Sequence, residues 1–300
     1  MLGSWGVQWY SRHSRLDVCA RYAKHSGWRA CVVMVLWFLT GCQLSEGNRL
    51  QSVMYPSNDR DWRPDAVVLA TAEIDLNEVT IRNVRNCSYV SKDVFVVDHY
   101  DKKLNLESIS SVDFIVVPFR GSSNLAHTML SFGTDDGQHI AVSVEARLEK
   151  GESYSAVLGA LRQFELMYVV GDERDLIHLR AKHRNDDVYI YPIRTSRHQA
   201  QALFMDVMQR VNQLEGKPEF YDTFTNNCTS SIIGHVNQLV PGKVPFDIRN
   251  FLPGLSDRIA YDLGLLQDAG SFEETRRRAL VSLDGQPVHT AEDYSDYIRR

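Results

Sequence analysis

Cys228 is the residue whose place in the sequence most favours chemistry. It lies in a polar stretch, residues 221–231, that leads into an apolar pattern with helical spacing: Ile232, Ile233, Val236, Leu239 and Val240. Asn226 or Asn227 is expected to cap this helix, which places Cys228 in or just before the first turn. Unpaired backbone N–H groups and the positive end of the helix dipole favour a thiolate there. The sequence therefore predicts a nucleophilic cysteine at a helix N-terminus.

A predicted β-hairpin supplies residues that could serve such a thiol. Residues 125–133 and 139–147 are typical of two strands joined by a turn, and the second strand alternates apolar and polar side chains. His127 lies on the first strand, and Ser143 and Glu145 lie on the polar side of the second. If His127 is on that side too, it shares a sheet face with Ser143, Glu145 or both. The register is not fixed by the sequence, so both residues remain candidates for orienting His127.

These residue types together indicate acyl transfer. A cysteine nucleophile needs a base within hydrogen-bond reach and a polar group that orients the base. The thiolate of Cys228 would attack a carbonyl, His127 would protonate the leaving group, and water or another acceptor would take the acyl group. Tyr221, Asn226 and Asn227 are close enough to the cysteine in sequence to line the site or polarise an oxyanion.

Each of these residues also has a structural interpretation. A strand histidine beside apolar residues is more often a core or surface residue than a base. Glu145 can form a surface ion pair of little energetic value with Arg147, two residues along the same strand. Cys228 can be an inert buried thiol or a disulfide partner of Cys87.

The sequence predicts neither a metal site nor a cofactor. The remaining histidines have no spacing typical of metal ligands, and neither C-x-x-C nor H-E-x-x-H occurs. A G-x-S-x-G elbow and a phosphate-binding glycine loop are missing as well.

The N-terminus has the pattern of a targeting segment. Basic residues up to Arg29 precede an apolar run, residues 31–40. This run is shorter than a transmembrane helix needs to cross the bilayer, but it has the length of a signal-peptide hydrophobic region. The run ends in Leu-Thr-Gly-Cys42, which resembles the bacterial lipobox, and Gln43 resembles the residue found in lipoproteins sorted to the outer membrane. We therefore expect residues 1–41 to be a lipoprotein signal peptide and Cys42 to carry the lipid that anchors the chain to the bilayer. The alternative is a short uncleaved anchor.

Composition indicates a globular protein that does not bind nucleic acid. The chain has 300 residues, 44% of them hydrophobic, and a formal net charge of −5 although its N-terminal 41 residues are basic. The remainder is acidic, which excludes the basic face that phosphate contacts need. Strand and helix patterns predict an α+β fold, with an antiparallel sheet packed against helices. We expect a tether over residues 42–60, a single domain over 61–270 and a charged tail over 271–300.

Five segments in a fixed order resemble the Lnb N-terminal periplasmic domain family, whose function has not been assigned. They are residues 80–86, 127–133, 143–147, 172–175 and 221–229. This resemblance implies a periplasmic domain. The segments span most of the chain after the predicted tether.

The order of histidine before cysteine, with an Asn-Cys pair at a helix start, is also similar to circularly permuted papain-like enzymes of the NlpC type. This looser resemblance implies Cys228 as nucleophile, His127 as base and Glu145 as the orienting group, with Ser143 as its rival. Cys87 follows the first matching segment at a position where an apolar residue is expected, which favours a core residue over a disulfide partner.

Two functional hypotheses follow from the sequence. The first is a lipid-anchored envelope thiol hydrolase or acyltransferase that acts on an amide or ester bond, in peptidoglycan or in lipid. The second is a non-catalytic envelope lipoprotein that binds a partner or serves as a scaffold, with Cys228 in a structural role.

Overall fold

The described part of the chain forms a large, mainly antiparallel sheet with helices packed on both faces. The computed structural model describes residues 54–121, 124–245, 252–267, 270–283 and 291–300, which belong to one compact unit. The predicted signal peptide, Cys42 and most of the predicted tether lie outside the described residues. The α+β prediction, with an antiparallel sheet packed against helices, is confirmed.

Ten strands and seven α-helices are described. The strands are β1 (Thr71–Asp75), β2 (Glu78–Arg85), β3 (Ser88–Tyr89), β4 (Phe95–Val96), β5 (His99–Asn105), β6 (Ile109–Pro118), β7 (Ala126–Thr134), β8 (His139–Arg147), β9 (Glu165–Gly171) and β10 (Tyr189–Pro192). The helices in the described ranges are α1 (Ala156–Ala160), α2 (Glu173–His178), α3 (Arg197–Gly216), α4 (Cys228–Leu239), α5 (Ser256–Asp262), α6 (Phe272–Ala279) and α7 (Ala291–Tyr297). A π-helical turn, Leu179–His183, continues α2.

The main sheet has the strand order β1-β2-β9-β8-β7-β6-β10, and β5 pairs with β2 on its other side. Every pairing in it is antiparallel except the short contact of β2 with β9. β7 and β8 form the predicted hairpin, with Met129 opposite Ser143. This register brings the start of β7, which carries His127, beside the end of β8, which carries Glu145.

Both faces of the sheet are covered, and this changes the expected pattern of β8. On one face α3 and α4 pack over a core that includes Val142 and Val144; on the other, α2 and the C-terminal residues pack over a core that includes Ala141. Ser143 and Arg147, which alternation places on a polar side, are therefore buried. They face a second protein layer.

An N-cap and three hydrogen bonds to neighbouring elements fix the cysteine helix α4 in place. Asn227 is its N-cap and forms a capping box with Ser230. Further along α4, His235 bonds Asp206 of α3 through Nδ1 at 2.6 Å and the Tyr168 hydroxyl of β9 through Nε2 at 2.9 Å. The third contact joins the hydroxyls of Thr128 and Thr229 at 3.1 Å. These contacts hold α4 in its first turn, at Thr229, and again in its second half, at His235.

Segments that composition assigned to the tether and the tail pack against the domain. Asn58 donates to the Leu214 carbonyl at 3.0 Å, and Arg60 forms an ion pair with Glu165. At the other end, Tyr294 and Ile298 are buried in the core. Composition does not indicate this packing because it cannot show that Arg60 and Arg299 pair with buried acids elsewhere in the chain.

Arg299 anchors the C-terminus in a buried acidic pocket. Its guanidinium donates to both carboxylate oxygens of Glu173, at 2.6 and 2.8 Å, and to Asp113 Oδ2 at 2.7 Å. Ser131 adds a bond to Glu173 at 2.5 Å. Burial opposes the ionisation of Glu173, but the hydrogen bonds and charge of Arg299 outweigh it and lower the pKa of that carboxyl. One arginine therefore stabilises two carboxylates that the sheet and α2 bring together.

Replacing Arg299 with Met should destabilise the fold by about 3–5 kcal/mol at neutral pH, because two buried carboxylates lose their shared cation. Urea unfolding of the Arg299→Met variant measures this loss. Arg300→Met, at the exposed neighbouring position, is the control and should stay within about 0.5 kcal/mol of the wild type. Equal stability of both variants would show that Arg299 does not hold the C-terminus.

Candidate functional site

A cleft of about 200 Å³ opens where the start of β7 meets the N-terminus of α4. Its walls include five of the seven residues predicted for the active site from the hairpin and the cysteine loop. These residues are Cys228, His127, Glu145, Tyr221 and Asn227. Ser143 lies fully buried behind the wall. Asn226 is not part of the lining. The fold thus brings residues from β7, β8 and the cysteine loop to one opening.

The Cys228 thiol lies at the first residue of α4 and is largely buried. Its Sγ is 3.9 Å from the hydroxyl of Thr229 and makes no hydrogen bond to His127. Catalytic hydrogen bonds are often long without substrate and tighten in the reacting complex. Cys228 and Cys87 are both free. Cys87 is a core residue, and burial raises its pKa to about 11, so it is not a reactive thiol.

A chain of hydrogen bonds runs from His127 along the wall of the cleft, through the buried Ser143, to Glu145 and Arg180. His127 Nε2 is 2.6 Å from Ser143 Oγ, and that hydroxyl donates to Glu145 Oε1 at 2.7 Å. Arg180 donates to the same Oε1 at 2.9 Å. Glu145 itself is 3.9 Å from His127 Nε2, so it acts on the histidine through Ser143. Ser143 therefore hydrogen-bonds the imidazole directly, and Glu145 hydrogen-bonds Ser143.

The direction of these bonds fixes the tautomer of His127. Because the Ser143 proton points to Glu145, its oxygen can only accept from His127, which places the ring proton on Nε2. Nδ1 then carries a lone pair, and it makes no hydrogen bond to any residue in the described ranges. A neutral imidazole with Nδ1 free is the form that can accept a proton from a thiol.

The charges around the chain keep Glu145 ionised and His127 neutral. Burial opposes the ionisation of Glu145, but the positive charges of Arg180 and Arg85 outweigh it and hold the pKa of this carboxyl well below its usual range. Burial, followed by the positive charge of Arg180, lowers the pKa of His127 to about 3 despite the opposing charge of Glu145. His127 is therefore unprotonated at any pH near neutrality.

The prediction of a surface ion pair between Glu145 and Arg147 is wrong. Arg147 is buried, its guanidinium lies 4.1 Å from the centre of the Trp62 ring, and it donates to the Ala66 carbonyl at 2.9 Å. Glu145 pairs with Arg180 instead. The two side chains have different partners because α2 and the π-helical turn cover Glu145, whereas the N-terminal segment covers Arg147.

The cysteine loop uses its polar residues in different ways. The Tyr221 hydroxyl is 3.3 Å from that of Tyr154, and burial and the nearby Cys228 raise the pKa of Tyr221, so the hydroxyl keeps its proton. Asn227 accepts from Ser230 N at 2.9 Å and caps α4. Asn226 donates to the Phe220 carbonyl at 2.9 Å, which closes the loop away from the cleft. The Asn227 amide also donates to a backbone carbonyl, that of Thr223, so of these three residues only Tyr221 has a side-chain donor that is not bound to the backbone.

Sequence reasoning missed Arg180, the residue that holds Glu145. It lies in the π-helical turn after α2, separated from Glu145 by 35 residues. π-helical turns frequently occur at functional sites, but no sequence periodicity indicates one. The charged segment 172–175 was the nearest available signal. Its Asp175 binds Arg85 at 2.9 Å and so fixes α2, which carries the turn.

A second cavity, of about 140 Å³, lies between α3, α4 and α5 and has mostly apolar walls. It contains none of the residues predicted to do chemistry, so the cleft at Cys228 is the candidate site. No group of three or more His, Cys, Asp or Glu in the described ranges is placed to hold a metal ion. Within those ranges there is also no helix of the length and apolar character needed to cross a membrane.

A family model described as the Lnb N-terminal periplasmic domain matches residues 97–254, just over half of the chain. The match includes His127, Ser143, Glu145 and Cys228, and it begins after the first of the five resembling segments. Comparison with curated proteins and with solved structures gave no match.

The low pKa of His127 should make stability depend on pH. As pH falls below about 6.5, the unfolded chain takes a proton on this histidine and the folded chain does not, so folding loses up to about 1.4 kcal/mol per pH unit. The His127→Gln variant lacks this loss, and its free energy of unfolding should fall less steeply between about pH 6 and 4. Urea unfolding across this range measures the two slopes.

The exposed His198 in α3 provides the matched control, because His198→Gln also removes one histidine from the unfolded chain. Parallel slopes for the wild type and His127→Gln would show that His127 gains a proton in the folded state, contrary to its placement beside Arg180.

Proposed function

This chain belongs to the Lnb N-terminal periplasmic domain family, and we propose that it is a lipid-anchored thiol hydrolase or acyltransferase of the bacterial cell envelope. The family supports a periplasmic location for the domain. The reaction is acyl transfer from an amide or ester bond, with peptidoglycan or lipid as the substrate. The bond chain from Arg180 through Glu145 and Ser143 to His127, in the cleft that contains Cys228, carries the proposal.

Cys228 is the nucleophile in this mechanism. Its sulfur attacks the carbonyl carbon while its proton passes to His127 Nδ1, the nitrogen that the bond to Ser143 leaves free. The imidazolium formed in this step is stabilised by Glu145 through Ser143. This is why an ionised carboxylate is needed two residues from the serine, although it does not touch the ring.

Collapse of the tetrahedral intermediate completes the acylation. The carbonyl π bond re-forms, the bond to the leaving nitrogen or oxygen breaks, and His127 Nδ1 returns the proton to that atom. Water or another acceptor then attacks the thioester, gives its proton to His127, and the thiol is regenerated when that proton returns to sulfur.

Two groups are suited to stabilise the oxyanion. The Tyr221 hydroxyl retains its proton and lies close enough to Cys228 to feel its charge. The backbone N–H groups at the start of α4 point toward the same end of the cleft and add the positive end of the helix dipole. This arrangement supports the papain-like interpretation of the site.

The anchor in this proposal is a lipid on Cys42, after removal of residues 1–41. The lipobox-like sequence supports it, and Gln43 favours the outer membrane over the inner membrane. A covalent lipid would hold the domain at a membrane surface, within reach of peptidoglycan and membrane lipids.

A non-catalytic scaffold is the second candidate. The observation in its favour is that Cys228 Sγ is largely buried and makes no hydrogen bond to His127. In that case Cys228 would fill space under Tyr221, and the charged chain behind His127 would only stabilise the fold.

An active-site ester probe separates the two candidates. With 4-nitrophenyl acetate, the wild-type protein should release a burst of about one equivalent of nitrophenol, because acylation of Cys228 precedes deacylation. Cys228→Ala should give no burst, and His127→Asn should slow it by about 100-fold or more. Cys87→Ser, which removes the buried free thiol, is the matched control and should keep the burst.

An unchanged burst in Cys228→Ala would contradict the thiol mechanism. A wild-type protein that gives no burst and whose Cys228 thiol is titrated only after unfolding would favour the scaffold.

A further inference from the structure

Arg184 is a cleft residue without a use in the mechanism. Its side chain lines the same opening as His127 and Cys228, and the residue is exposed. Within the described part of the chain its guanidinium makes no hydrogen bond or ion pair. An arginine presents five N–H donors, so this group is available to a ligand.

The other arginines of the cleft are already paired. Arg85 binds both oxygens of Asp175, at 2.9 and 3.1 Å, and Arg180 binds Glu145. Arg63 lies 3.3 Å from Asp65. The acid nearest to Arg184 in sequence, Asp186, pairs with Arg120 at 3.7 Å. Arg184 therefore differs from these neighbours in having no carboxylate of a described residue within ion-pair distance, although the charges of Glu145 and Asp186 act on it from further away.

The π-helical turn positions this arginine. The Arg184 N–H donates to the Leu179 carbonyl at 2.9 Å, a bond across five residues that ends the turn. The same turn carries Arg180. It therefore positions two arginines at the cleft: Arg180, which pairs with Glu145, and Arg184, which makes no ion pair with any residue in the described ranges. π-helical turns are frequent at functional sites, which fits such a division of roles.

The free charge of Arg184 influences the reacting groups. After burial and Arg180, the charge of Arg184 also contributes to the low pKa of His127, against the opposing charge of Glu145. Partial burial of the side chain and the charge of Arg180 lower the pKa of Arg184, and the charges of Glu145 and Asp186 only partly offset this. A bound anion would relieve this repulsion, and the planar guanidinium suits carboxylate and phosphate oxygens.

We propose that Arg184 forms an anion subsite that binds a carboxylate or phosphate group of the substrate whose carbonyl reacts at Cys228. The position of this group relative to the reacting bond rests on the proposed function. Binding of the anion itself depends only on the cleft.

Anion binding can be tested without any catalysis. Thermal unfolding of the Cys228→Ser protein is followed with increasing inorganic phosphate, or with acetate in a parallel series, at constant ionic strength and pH. A ligand that binds only the folded state raises the melting temperature with a concentration dependence that gives its dissociation constant. The anion of higher affinity identifies the group, phosphate or carboxylate.

The dissociation constant of that anion should rise about fivefold or more in Arg184→Gln and should be largely restored in Arg184→Lys, which retains the charge. Arg197→Gln is the matched control, since Arg197 is an exposed arginine outside the cleft that pairs with Asp135. Stabilisation that is absent for both anions, or equal in Arg184→Gln and the wild type, would overturn the proposal.

A second measurement connects the subsite to the reaction. The ratio of kcat/KM for mono-4-nitrophenyl succinate, which carries a carboxylate, to that for neutral 4-nitrophenyl butyrate should fall about fivefold or more in Arg184→Gln. If no variant cleaves either ester while phosphate or acetate binding still depends on Arg184, the thiol mechanism fails and the anion subsite stands. If esters are cleaved at Cys228 but the ratio does not change, the subsite is overturned and the mechanism stands.

Discussion

The ion pair between Arg180 and Glu145 is the interaction on which the rest of the site depends. It keeps a carboxylate ionised inside the protein, and this carboxylate orients the Ser143 hydroxyl. That orientation places the proton of His127 on Nε2 and leaves Nδ1 as an acceptor. If Glu145 were protonated, the serine proton would be free to point to the ring, and the tautomer would no longer be fixed.

The fold maintains this ion pair through contacts that lie far from the cleft. Arg180 is held by the π-helical turn after α2, and α2 is fixed by two buried ion pairs, Asp175 with Arg85 and Glu173 with Arg299. Removing one member of such a pair leaves a buried charge without a partner, which is costly. The C-terminal residues therefore help to position the residues behind His127, although they do not contact the cleft.

Local patterns in the sequence predicted the elements that carry the site. The alternation in residues 139–147 predicted β8, and the helical spacing after Cys228 together with the Asn cap predicted α4. The sequence could not give the register of the hairpin. The pairing of Met129 with Ser143 fixes that register and places Ser143 between His127 and Glu145 in the chain of hydrogen bonds. Ser143 and Glu145 were both candidates for one role, and the structure gives each a separate place in the chain of bonds.

Long-range pairings could not be predicted from local patterns. Arg180 reaches Glu145 across 35 residues and Arg299 reaches Asp113 across 186, and neither pairing has a signal in spacing or composition. For the same reason the residues from 271 onward were expected to form a charged tail. Two of their arginines, Arg276 and Arg299, pair with the buried acids Asp257 and Glu173 and hold the segment on the domain.

The alkylation rate of Cys228 tests most directly whether this thiol and His127 act as a pair. Iodoacetamide is added to native protein in the Cys87→Ser background, with and without His127→Ala, at neutral pH. We predict that the native thiol reacts and that His127→Ala slows the reaction by about 100-fold. A rate that does not change in His127→Ala, or a thiol that reacts only after unfolding, would contradict the proposed pair.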